Sequence, residues 1–125
     1  MTERDYTRRL AKLFNAVDGA VFRTLPDSGI KGHKKPYDAF LLYNGRHYSI
    51  EAKMGTAALE PHQITALAED AEAGAKFVVV RYSSTNVTLY GSSDGGFNEK
   101  TYSVSWKELA TSDGINALLT WMVLV

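Results

Sequence analysis

The chain contains no cysteine. Disulfide bridges and cysteine-ligated zinc are therefore excluded, which fits a reducing, intracellular setting. It has no long hydrophobic run either. The longest, near Trp121 to Val125, is far too short to span a bilayer. The first residues, Met1-Thr2-Glu3-Arg4-Asp5, are charged and lack the apolar segment of a signal peptide. No repeat, linker or low-complexity tract interrupts the 125 residues, so a single domain, 1–125, with a core of its own is expected. A hydrophobic fraction of 45% is that of a globular chain rather than a disordered one.

Net charge is also missing, with 14 basic and 14 acidic residues. The average hides an asymmetry. Residues 1–53 hold ten Lys/Arg against six Asp/Glu, a balance of +4, and the remainder holds four against eight, a balance of −4. A local basic surface matters more to a polyanionic partner than global charge does.

Residues 2–17 read as a helix, with Tyr6, Leu10, Leu13, Phe14 and Val17 on its buried stripe and Glu3 on the same inward side. Residues 20–25 read as a strand and 26–35 as a loop. Glu60-Pro61 opens a second helix that Gly74 ends. Within Lys76 to Tyr82, Phe77-Val78-Val79-Val80 is a continuous apolar run, as in a strand covered on both faces. Asn86 to Tyr90 reads as a further strand, and Asp94-Gly95-Gly96 as a loop. Ser105 to Glu108 has the form of a capping box, and 115–125 is a last helix that serves either the core or a dimer contact. The remaining Tyr and Phe fall on these stripes and read as core. The order predicts an α/β fold, a mixed sheet flanked by helices, with a parallel crossover from the strand ending at Lys53 to that beginning at Lys76.

The informative stretch is Pro36 to Lys53. Two apolar runs, Ala39 to Tyr43 and Arg46 to Ile50, flank Asn44-Gly45. Asn-Gly between such runs is a strong hairpin signal, because a type I′ turn needs φ > 0 at both central residues. With those two as the loop, Tyr43 pairs with Arg46, Leu42 with His47, Phe40 with Ser49 and Asp38 with Glu51. Glu51 and Lys53 then share a face, and Asp38 joins them from across the hairpin. Opposed carboxylates, with Cβ atoms about 5 Å apart, destabilise a sheet. A divalent cation between them removes that cost, and hard oxygen ligands suit Mg²⁺.

Pro36-Tyr37-Asp38 followed by Glu51-Ala52-Lys53 resembles the PD-(D/E)XK nuclease superfamily, over roughly residues 2–90. Within it the chain looks most like the Holliday junction resolvases of archaeal and phage type, with the VRR-NUC nucleases close behind. The resemblance implies a restriction-endonuclease-like fold and a Mg²⁺-dependent DNA endonuclease, Mn²⁺ being a substitute metal. It implies a four-way junction or other branched DNA as partner, a homodimer, and a place in the cytoplasm of a microbial or phage-infected cell. It makes Asp38 and Glu51 metal ligands, with the Ala52 carbonyl a third and Glu3 completing the shell directly or through water. Lys53 would position the attacking water and stabilise charge developing on the phosphate. Gln63 would align substrate or lysine, and Ser28 would donate to a phosphate. The basic loop with Lys31, Lys34 and Lys35 would contact the DNA backbone, with Arg8, Arg9 and Lys12 extending the track. His47 shares the Glu51 face, where it could be a second base or an ordinary packed residue. His62 reads as surface. A structure-selective nuclease of another kind, or a non-catalytic nucleic-acid-binding module on the same fold, are the alternatives.

Overall fold

The computed structural model describes residues 1–26, 37–92 and 99–125. The elements run α1 (Glu3–Asn15), β1 (Val21–Thr24), β2 (Ala39–Tyr43), β3 (Arg46–Met54), α2 (Pro61–Glu72), β4 (Lys76–Tyr82), β5 (Asn86–Ser92), β6 (Glu99–Ser105), α3 (Trp106–Leu109) and α4 (Ser112–Leu124). The strands form one sheet in sequence order. Every neighbouring pair is antiparallel except β3 and β4, which α2 connects in parallel.

The hairpin has the register expected from its turn. Tyr43 pairs with Arg46, Leu42 with His47, Phe40 with Ser49 and Ala39 with Ile50. Asn44 and Gly45 both take positive φ, 54° and 73°, as a type I′ turn requires. One step beyond Ala39 and Ile50 stand Asp38 and Glu51, and the Asp38 N–H donates to the Ile50 carbonyl at 3.0 Å.

Alternation along the strands separates two faces. Tyr48, Ile50 and Ala52 of β3 join Leu41, Val78, Val80 and Leu89 in the main core, which α1, α3 and α4 cover through Leu10, Phe14, Leu109, Leu118 and Met122. On the opposite face, Ser49, Glu51, Phe77 and Val79 are buried, and α2 packs there over β3 and β4 with Leu67 inward. The apolar runs of β3 and β4 thus have the two-sided burial that their sequence implies.

Local chemistry sets the helix ends. Thr2 caps α1 rather than starting it: its Oγ1 accepts from the Asp5 N–H at 3.2 Å, and the Asp5 carboxylate accepts from the Thr2 N–H at 3.0 Å. Asn15 fastens the other end, accepting from the Phe22 N–H at 2.8 Å and donating to the Phe22 carbonyl at 3.0 Å. The last helix proves to be a core element. Ile115, Leu118, Leu119 and Met122 are buried, and the Met122 carbonyl accepts from the Tyr48 hydroxyl at 2.9 Å. The strand β6 departs from the sequence expectation. Among its described side chains Tyr102 and Val104 alternate inward, too short a pattern to stand out beside the polar residues around them. The expected loop at 94–96 lies outside the described residues. Among the described residues no helix is long and apolar enough to cross a membrane.

Gly45 has open space around it, so an added methyl meets no neighbour and its effect is purely conformational. Gly45→Ala should lower the unfolding free energy by roughly 1–2 kcal/mol, the left-handed penalty for one residue. Urea denaturation of the two proteins measures it.

Candidate active site

The crossover end of the hairpin brings together residues from three elements. Asp38 stands just before β2, Glu51 and Lys53 lie on one face of β3, and Gln63 lies in the first turn of α2. Glu51 is only 1% exposed, whereas Asp38 and Lys53 are half-buried. The Ala52 N–H donates to Asp38 Oδ2 at 2.8 Å, which holds that carboxylate against the edge of β3. Gln63 Nε2 donates to Glu51 Oε1 at 2.7 Å. Gln63 is itself oriented by the cap of its helix, its Oε1 accepting from the Glu60 N–H at 2.8 Å. Its place in the site is thus on the carboxylate, which its position at a helix start does not disclose.

The remaining oxygen, Glu51 Oε2, is buried and has no hydrogen-bond partner among the described residues. Its carboxyl lies within hydrogen-bonding reach of Asp38, and two carboxylates can share such a contact only through a proton or a cation. Burial is the largest influence on Glu51 and the Asp38 carboxylate the next. Together they push its pKa up to about 9, against the opposing Lys53 ammonium. The Tyr82 hydroxyl is also raised, first by burial, while a hydrogen bond with Thr7 works the other way. Tyr82 and Thr7 share that contact at 3.0 Å beneath the site.

A cavity of about 330 Å³ opens beside Asp38, lined by Glu3, Arg4, Thr7, Arg8, Thr24, Leu25 and Pro26. Glu3 therefore borders the cavity that Asp38 borders, and its charge is felt at Glu51. It is not gathered with the pair into one cluster: among the described residues no three His, Asp or Glu side chains stand together as metal ligands. Arg4, absent from the expected basic track, lines the cavity one helical turn before Arg8, the spacing of helix neighbours. Arg9 instead lies over the Trp106 ring, 4.5 Å from its centroid, and Lys12 is exposed. His47 stacks on Phe40 at 5.5 Å, a packing role. His62 is half-buried beside Glu60, with Nδ1 3.2 Å from its carboxylate. Ser28, Lys31, Lys34 and Lys35, with Pro36 of the motif, lie outside the described residues.

The two carboxyls fit a divalent cation. A buried carboxylate oxygen lacks a partner among the described residues, and a second carboxylate lies within reach of its group. Mg²⁺ takes few protein ligands and keeps several waters, so two carboxylates suffice.

The raised Glu51 pKa has a stability consequence. Below about pH 4.5 both folded and unfolded chains hold the proton, whereas between 4.5 and about 9 the folded chain holds one more. Without divalent ions, stability should fall as pH rises through that window, by at most ~1.4 kcal/mol per pH unit for one proton. Glu51→Gln should be the more stable protein at pH 8, with the gap closing toward pH 5. Urea denaturation in EDTA across this range is the check, and parallel curves for the two proteins would contradict it.

The sequence matches no protein-family model and no curated protein. The structure does match solved ones. It is similar to that of Hjc, a Holliday junction resolvase from the archaeal hyperthermophile Archaeoglobus fulgidus, with a TM-score of 0.50, over 84% of this chain and 86% of that one. Sequence identity is 18%, so the likeness is one of fold. The mixed sheet flanked by helices expected from the order of elements and from the resemblance is the fold this chain adopts, with β6 as an additional sixth strand.

Proposed function

We propose that this chain is a divalent-metal-dependent DNA endonuclease, and within that class a structure-selective enzyme acting as a homodimer on four-way junctions. The observation that carries the reading is the buried Glu51 carboxyl set against the half-buried Asp38, with Lys53 on the same strand face as Glu51. A fold has no need of a buried carboxyl whose pKa is raised first by burial and then by a neighbouring carboxylate, and groups perturbed in this way gather at functional sites. Two further observations support it. The basic residues concentrate in residues 1–53, where the pair also lies, and the fold is like that of a junction resolvase.

Hydrolysis of a phosphodiester adds a water oxygen to phosphorus and breaks one phosphorus–oxygen ester bond. Asp38, Glu51 and the Ala52 carbonyl would hold Mg²⁺, or Mn²⁺ in its place, with Glu3 contributing directly or through water. When bound, the ion lowers the pKa of water and offsets charge on the phosphoryl oxygens. Gln63 fixes the rotamer of Glu51 by donating to Oε1. The Lys53 ammonium orients the incoming water and balances negative charge as it builds on the phosphate. Arg4 and Arg8 place positive charge on the cavity beside Asp38. Contact there is with the sugar–phosphate backbone, since among the described residues no aromatic ring lines that cavity for a base to stack on. Ser28, Lys31, Lys34 and Lys35 would extend the same backbone contact. An enzyme reading backbone charge and shape rather than base edges suits branched DNA.

The test compares a synthetic four-way junction with linear duplex, single-stranded and splayed-arm DNA, in Mg²⁺ and in EDTA. Paired nicks confined to the junction, and abolished by EDTA, are expected. Glu51→Ala, Asp38→Ala and Lys53→Ala should each lower the cleavage rate by about 10²–10³-fold. Equal cutting of linear or splayed DNA would keep the nuclease and remove the junction preference. Junction binding with no cutting in any metal would overturn the enzyme and favour a binding module.

A further inference from the structure

The face of β3 that carries Glu51 also carries Ser49, two residues earlier. Ser49 is fully buried, an unusual place for a hydroxyl in the middle of an apolar sheet. Its Oγ donates to Asp70 Oδ2 at 2.8 Å. Asp70 lies seven residues after Gln63, two turns along the same side of α2. The Tyr37 hydroxyl reaches both Ser49 and Asp70. Tyr37 is the residue immediately before Asp38 in the chain, so the network grips the segment that delivers Asp38.

The helix α2 therefore makes two polar attachments to the site strand, and they lead to different carboxyls. Gln63, at its start, holds Glu51 directly. Asp70, near its end, holds Ser49 and Tyr37, and through Tyr37 the backbone that presents Asp38. Asp70 reaches the site strand through its hydrogen bond to Ser49.

We propose that Asp70, Ser49 and Tyr37 are positioning residues that set the separation of the Asp38 and Glu51 carboxyls for a divalent cation, an inference that rests on the metal-dependent reading above. The packing argument alone does not account for them. An apolar residue at 49 would seal the sheet under α2 without burying a hydroxyl. The network instead ties the helix that orients one ligand to the chain segment that carries the other. The two carboxyls then move as a unit with α2. Residues in this relation to metal ligands commonly affect affinity as strongly as some ligands do.

The test is calorimetric titration of Mg²⁺ into the DNA-free protein and four variants, with thermal melts in EDTA alongside. Tyr37→Phe, Ser49→Ala and Asp70→Ala should each weaken Mg²⁺ binding by about 10-fold, the lower end of the usual range for such partners. Asp70→Asn keeps an acceptor oxygen for Ser49 and should stay within about 3-fold of wild type, far short of the full loss. Junction cleavage by Tyr37→Phe should return to the wild-type rate at saturating Mg²⁺, because the ligands themselves are intact. Tyr37→Phe removes one half-buried hydroxyl and keeps the ring, so it carries the test even if another variant fails to fold. Wild-type Mg²⁺ affinity in Tyr37→Phe and Asp70→Ala, whatever their melting temperatures, would overturn the proposal and leave the metal site standing. Absence of Mg²⁺ binding by the wild-type protein would overturn both.

Discussion

The register of the β2–β3 hairpin is the constraint on which the site depends. Side chains alternate with a period of two, so a slip of one residue would turn Glu51 and Lys53 into the core and bring Ile50 and Ala52 out against α2. Three things hold the register. Asn44 and Gly45 close a two-residue turn of the correct hand, the apolar alternation of Leu41, Tyr48 and Ile50 faces the core, and the ladder continues through the Asp38 N–H to Ile50. Parallel pairing of β3 with β4 then covers the other edge and leaves Ala52 beside Val80, with Glu51 beside Val79. A polar pair is in this way embedded at the end of an apolar sheet.

That arrangement opposes stability locally. Glu51 is buried next to a like charge, and its Oε2 has no partner among the described residues. Buried carboxyls are retained only where hydrogen bonds, a proton or a cation satisfy them. Here the Ala52 N–H serves Asp38 and the Gln63 amide serves Glu51 Oε1, while Glu51 Oε2 is without a partner among the described residues. The surroundings are rigid enough to hold this. Tyr6, Tyr82 and Trp106 stack on one another with centroids 5.5 to 5.8 Å apart, and Tyr82 meets Thr7 of α1 beneath the site. The first helix, the core strand and the short helix α3 are thereby joined in the main core.

Much of the fold is legible in the sequence. The Asn-Gly dipeptide, the apolar run Phe77 to Val80 and the proline at the start of α2 each act through nearby residues, and each appears where expected. The strand β6 is not legible, because two inward residues among polar ones do not make a recognisable period, and it is pairing with β5 that makes it a strand. The last helix could serve a core or a partner, and only its packing under Tyr48 and against α3 settles that it lines the core. Gln63 is visible as a candidate but its task is not, since a glutamine in a first helical turn points at solvent as often as at a neighbour. Ser49 and Asp70 carry no signal at all: a serine in a strand and an aspartate in a helix are ordinary until the crossover stacks them.

By itself, the sequence determined the class of fold, the hairpin, the opposition of Asp38 and Glu51 and the presence of Lys53 on their face. These follow from turn chemistry and strand periodicity, which act over a few residues and do not depend on the rest of the molecule. Tertiary structure decided what surrounds the pair. It decided that Glu51 is sealed from water, that Gln63 and not solvent meets its oxygen, that Glu3 borders the cavity without joining a ligand cluster, and that Arg4 rather than Arg9 turns toward it. Those outcomes depend on how α1 and α2 lie across the sheet, and helix placement is set by the packing of whole faces rather than by any local motif.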